Sequence, residues 1–181
     1  RLRRASRVGA RPLNADVSAL MTRLLASIVF AVAAVCALAT TPQQAFDEMA
    51  VVDKFVWDSV KPFYTTTTDR IRQYSQLKSE KKRTNPDGTT SYTFLFTGLV
   101  VSGLDVPSKG FFLQSLEVTT ANYPLASDIK VGSPIAEVKV KLGAPIKATS
   151  KTLTFQGETE QVVFSVANDA VSKAVFHVYT D

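Results

Sequence analysis

The 181-residue chain carries a single histidine, a single cysteine and sixteen acidic residues, which makes its chemical repertoire small enough to survey in full. His177 sits in Ala174-Val175-Phe176-His177-Val178-Tyr179, where strand alternation turns it away from the face shared by Phe176 and Val178 and toward solvent. To act as a general base it would have to meet an activated Ser, Thr or Cys, and Cys36 lies in an apolar segment that reads as a removable leader. Asp53 and Asp58 share one helical stretch, but their spacing puts them about 140° apart around the axis, which suits two solvated charges better than an acid–base pair. One histidine cannot supply a multi-histidine metal site, and no glycine-rich phosphate loop, metal-ligand spacing or hydrolase signature is found. The sequence therefore nominates no catalytic residue, no cofactor-binding residue and no metal ligand, and it reads as a non-enzyme.

Two further groups bear on binding. Trp57, Phe63 and Tyr64 gather at the end of a helix, where aromatics either fill a core or, when exposed, anchor a partner; they are the candidate partner contacts. Ser79-Glu80-Lys81-Lys82-Arg83 is locally basic but flanked by acids and followed by a turn, which fits a charged edge that discourages strand pairing. The net charge of +5 points the same way, because six arginines and one aspartate precede Leu24, while the rest of the chain has fifteen basic residues against fifteen acidic ones. A neutral domain gives no electrostatic footprint for nucleic acid.

Met21-Thr22-Arg23 leads into LLASIVFAVAAVCALA, sixteen uncharged residues ending in Ala37-Leu38-Ala39. A basic start, an apolar run and small residues at A-x-A spacing are the parts of a secretory signal peptide, so residues 21–39 are expected to be a leader cleaved after Ala39. The run is shorter than the roughly 20 residues that span a bilayer comfortably, and membrane contact is expected only through an uncleaved leader. A lipid-modified cysteine normally follows a small residue, whereas Val35 precedes Cys36. Residues 1–20 lack any sustained apolar period and read as a mis-extended start or a basic leader. The expected location is periplasmic or secreted, and residues 40–181 are expected to form a single domain.

Within that domain, Ala45 to Val60 has apolar residues at helical spacing up to Pro62. Phe63 to Thr68 reads as an extended connection and Ile71 to Lys82 as polar and ambiguous. Asn85-Pro86-Asp87-Gly88 has turn chemistry, and Tyr92 to Val101 reads as one strand. Gly98 and Gly103 suggest a bend or bulge. After Pro107-Ser108-Lys109-Gly110, a strand over Phe111 to Thr120 would put Phe112, Leu116 and Val118 on one face. Ser133 is a candidate cap for a short helix with Pro134 at its first position, Ile135, Val138 and Leu142 on one face, and Gly143 closing it. Three strands around Leu153–Phe155, Val162–Val166 and Ala174–Val178 follow. The expected fold class is α+β: an antiparallel sheet with an N-terminal helix and a short central helix packed on one face. A strand-rich unit before the short helix and another after it leave room for a duplication.

Val131-Gly132-Ser133, Ala136-Glu137-Val138 and Leu142-Gly143-Ala144-Pro145, followed by Val162-Val163-Phe164-Ser165-Val166 and Val171-Ser172-Lys173, resemble the SmpA/OmlA (BamE-like) envelope proteins. They are similar in the same way to the β-lactamase inhibitor proteins. The shared pattern is G-[ST]-x-x-x-x-V-x-x-x-L-G-x-P followed by a hairpin, and here it covers about a quarter of the chain. The resemblance implies the fold and compartment of a small exported envelope domain, with an assembly or inhibitor-type role as the family's activities, and transfers no binding residue. The leading expectation is a binding protein for an envelope protein or small ligand, acting through its sheet face or hairpin loops. An exported hydrolase with an atypical site around His177 and a small-ligand carrier are the alternatives.

Overall fold

The computed structural model describes residues 42–64 and 66–179. The leader expectations for residues 1–20 and 21–39 lie outside the described residues. Helix α1 runs Pro42–Val60. It buries Val52, Phe55, Val56, Ser59 and Val60, the stripe that a 3.6-residue period produces. Pro62 ends the α-helix, and a 3-10 turn, Lys61–Phe63, follows. Among the described residues of the expected extended connection, Thr66 alone pairs, through a single bridge to Phe111. The chain then enters a short helix α2, Thr68–Gln73, whose start is capped by Thr67 Oγ1 accepting the Arg70 amide at 3.3 Å.

Strands β1 Ser79–Thr84, β2 Thr90–Phe96, β3 Leu99–Val106 and β4 Gly110–Val118 come next. Helix α3, Ile135–Leu142, separates them from β5 Lys147–Ala148, β6 Thr152–Gln156, β7 Glu160–Ala167 and β8 Ala170–Val178. All eight strands form one antiparallel sheet in the order β1-β2-β3-β4-β8-β7-β6-β5. The fold is α+β, with the helices on one face.

Several elements differ from the sequence expectation. Tyr92–Val101 is two strands, because Gly98 at φ +72° turns the chain between β2 and β3. Phe112 faces away from Leu116 and Val118: the β3–β4 register shifts between Ser102 and Gly103, so Phe111 and Leu113 join the core instead. Gly103 is required at that bulge, since a Cβ there would fall 2.3 Å from the Phe111 ring. Ser133 does not cap α3; its hydroxyl accepts the Lys130 amide at 3.1 Å, and Pro134 occupies the capping position. Asn85–Gly88 and Asn168–Asp169 do turn the chain, the latter with both residues at positive φ as a tight hairpin turn demands.

The strand order is a palindrome around the β4–β8 seam. Both seam strands have nine residues, and Leu116 pairs with Phe176 within it. Each half has a short helix preceded by an isolated bridge to the start of its last strand, Thr66 to Phe111 and Pro134 to Ala170. Each half also has a register shift in its last hairpin. The described chain is thus two similar helix-plus-four-strand units sharing one core, with α1 laid across β6 and β7 of the second.

Candidate functional site

Alternation gives the sheet a second face, which no described helix covers. In register across it run Leu95, Val100, Glu117, Val175, Val163 and Thr154, one residue from each of β2, β3, β4, β8, β7 and β6. The adjacent row is Thr93, Ser102, Ser115, His177, Gln161 and Gln156. A largely aliphatic stripe, interrupted by Glu117, therefore lies beside a stripe of hydrogen-bonding groups. Glu117 pairs with Lys173 at 3.4 Å, and at the sheet edges the two rows continue onto Lys147 of β5, opposite Thr154, and Lys81 of β1, opposite Thr93.

His177 belongs to this face, half-buried rather than fully solvated, between Ser115 of β4 and Gln161 of β7. A serine beside a histidine is the beginning of a nucleophile–base arrangement, but no hydrogen bond joins their side chains, and neither has a carboxylate orienting it among the described residues.

Of the three candidate contact aromatics, Phe63 is fully buried. It packs against Tyr74 at 4.5 Å and Tyr123 at 6.2 Å between ring centroids, so it is a core residue with no surface to offer a partner. Trp57 and Tyr64 are half-buried and meet edge to face at 4.2 Å. They lie on the helix side of the sheet, away from the two registered rows.

Beside this aromatic group is a cleft of about 120 Å³ lined by Tyr74, Phe96, Leu99, Thr120, Asn122 and Tyr123. A second cleft, of about 240 Å³, lies between Glu48 and Val51 of α1 and Val140 and Gly143 at the end of α3. Both are smaller than the roughly 300 Å³ at which organic-ligand pockets begin. The Tyr123 hydroxyl donates to the Ser59 carbonyl at 2.6 Å, and burial raises its pKa.

Asp53 is not the solvated helix charge its sequence context suggests. Its two carboxylate oxygens accept the Glu158 amide at 3.1 and 3.0 Å, tying α1 to the β6–β7 turn. Glu160, the first residue of β7, is only 1% exposed. Its Oε2 accepts the Thr159 hydroxyl at 2.6 Å, and its Oε1 has no donor. Burial raises the Glu160 pKa, and the nearby Asp53 and Glu158 carboxylates raise it further. A local signal for Glu160 was present, since it continues the inward-facing series of Val162 and Phe164. Asp58, in contrast, is a surface charge paired with Lys54. Among the described residues, no group of three His, Cys, Asp or Glu side chains is arranged to hold a metal ion, and no helix is long and apolar enough to cross a membrane.

No family model matches the chain, and no curated relative matches it. Among solved structures, the uncharacterized protein yfeY from Escherichia coli is similar at 15% identity and a TM-score of 0.40, covering 64% of this chain and 91% of that one. A cysteine-rich secretory protein from Staphylococcus aureus is similar at 12% identity and a TM-score of 0.42, covering 64% of this chain and 44% of that one. Likenesses at this level bear on neither site nor activity.

Proposed function

We propose that this chain is an exported, non-enzymatic protein of the cell envelope that works by binding another protein through the uncovered face of its sheet. The observation that carries the reading is the registered pair of rows, Leu95-Val100-Glu117-Val175-Val163, aliphatic but for the Lys173-paired Glu117, beside Thr93-Ser102-Ser115-His177. An aliphatic stripe flanked by hydrogen-bonding groups has the make-up of an interface core with its polar rim. Strand registry fixes those side chains at constant spacing, so little ordering entropy is left to lose on association. The leader-like segment before Thr40 and the resemblance to SmpA/OmlA proteins support the location.

Val175 is the position to test, because it lies in the middle of the stripe and its side chain points away from the core. A photo-crosslinker there is expected to trap a defined envelope protein, whereas one at exposed Lys54 on the helix side traps nothing. Val175→Asp is expected to abolish capture with an unchanged denaturation midpoint. A full-length protein that remains monomeric and uncrosslinked from Val175 in intact cells would overturn the reading.

A further inference from the structure

The contact between α1 and the β6–β7 turn is built from acids. Asp53 projects from α1, Glu158 lies in the turn, and Glu160 opens β7. Gly157 makes the approach feasible, since a Cβ at that position would fall 1.8 Å from Asp53 Oδ1. The hydrogen bonds around Glu160 come from neutral groups. Thr159 donates to Glu160 Oε2, and the Gln156 amide donates to the Glu160 carbonyl at 2.9 Å while accepting from Gln161 at 2.8 Å. Val178 pairs with Glu160 across the sheet. Lys54, the adjacent cation on α1, is turned to Asp58. Among the described residues, no lysine or arginine pairs with Glu160.

A fully buried carboxylate with one orphaned oxygen and two acidic neighbours is costly, whereas the neutral acid has a proton to donate to the Asp53 carboxylate. We propose that Asp53 and Glu160 share one proton and form a pH-sensitive latch that holds α1 on the β6–β7 turn. With the proton in place, Glu160 donates to Asp53, and Asp53 also accepts the Glu158 amide. When the proton leaves to water, two adjacent carboxylates face each other without a counter-ion, and the low-cost relief is for α1 to lift from the turn and admit water. This device is independent of the uncovered sheet face.

The direction of the pH effect follows from linkage. Burial, first, and the neighbouring carboxylates raise the Glu160 pKa in the folded state, so the folded chain keeps a proton that the unfolded chain releases. Its contribution to stability is complete below the ordinary glutamate value of about 4.3 and is lost as pH rises through the higher folded value.

The test is urea denaturation of the full chain and of Glu160→Gln between about pH 4.5 and about pH 8, a window that begins at the ordinary glutamate value. Hydrogen exchange over α1, corrected for the intrinsic rate at each pH, is measured alongside. The wild-type midpoint is expected to fall with rising pH relative to Glu160→Gln, and exchange in α1 is expected to speed up in the wild type alone. Carbon-13 titration of the wild-type glutamate carboxyls needs no variant, and it should show one titrating well above the others and moving down in Asp53→Asn. Parallel pH profiles for wild type and Glu160→Gln would overturn the latch, as would a Glu160 carboxyl titrating with the rest. Stabilisation by millimolar calcium at alkaline pH that Glu160→Gln lacks would overturn it as well, by replacing the shared proton with a cation.

Discussion

Two buried or half-buried glutamates in this molecule have opposite dependences on pH, and the difference lies in who their neighbours are. Glu80 on β1 faces Arg72 of α2, whose Nε and Nη2 donate to its two oxygens at 2.7 and 2.9 Å. That hydrogen-bonded fork, ahead of the simple charge attraction, holds the Glu80 pKa below the usual carboxylate range. The same guanidinium lies 5.8 Å from the Tyr92 and Phe94 ring centres and donates to Asp69 at 2.6 Å. Because the folded state favours ionised Glu80, its contribution is present above about pH 4.3 and is lost as pH falls through the lowered folded value. Glu80→Gln should therefore cost about 1 kcal/mol near neutrality, a figure discounted for partial exposure, and the gap to wild type should close on acidification. Denaturation midpoints recorded down to strongly acidic pH check this, and a gap that stays constant would mean the fork adds nothing. Glu160 carries the reverse signature because its neighbours are acids. Neither partnership was legible in the sequence: Glu158 and Asp53 meet across 105 positions. What could be read was the inward phase of Glu160 among Val162 and Phe164, a buried carboxyl in search of a reason.

At the scale of elements, the sheet has two free edges, and they are protected differently. β5 has only two residues. β1 has six, mostly exposed, and presents Lys81, Lys82 and Arg83 along a backbone whose outer side is unpaired. Charged side chains on an edge strand make it costly for another strand to dock there. Replacing Lys81 and Arg83 with valine, on the face they share, should leave the fold intact and produce concentration-dependent self-association by sedimentation. A double variant that stays monomeric would show that the charges do not guard the edge. The sequence identified this segment as a charged edge before a turn joining two antiparallel strands, but left the extent of the first strand open, since Ser79–Thr84 has no apolar alternation. The other departures also have physical causes. Gly98 interrupts an otherwise continuous apolar run, the bulge at Gly103 inverts the phase of Phe112, and α2 has only one inward residue, Ile71, to mark it. Elements whose inward face is a full apolar period, α1, α3 and β6 to β8, were readable because one local pattern serves both propensity and packing.

Over the whole molecule, the palindromic sheet raises the question of whether its two halves are independent. The seam joins them through four residue pairs, from Ser115 with His177 to Val118 with Ala174, and its inward members Leu116, Val118, Ala174 and Phe176 are all buried. Helix α1 precedes the first half in the chain but packs on β6 and β7 of the second, and Tyr123 and the Ala126 amide, from the segment linking the halves, are bound to Ser59 near its end. The first half cannot detach without pulling α1 from the second, and the second cannot open without exposing the buried edge of β4. One core with cross-connected halves should unfold as a unit. Trp57, the single tryptophan, sits on α1 and reports on that helix, whereas far-ultraviolet circular dichroism reports mainly on the sheet. Urea transitions followed by the two signals are expected to coincide at about pH 4.5, near the ordinary glutamate value, where Glu160 keeps its proton. Phe176→Ala, which leaves a cavity at the seam, should move both midpoints down together with a loss of about 3–5 kcal/mol. If instead the fluorescence transition precedes the dichroism transition in that variant, α1 leaves before the sheet unfolds, and the helix does not tie the halves together. Coincidence would mean that the six strands carrying the uncovered face unfold as one cooperative unit, so that a partner bridging the β4–β8 seam would stabilise both halves together.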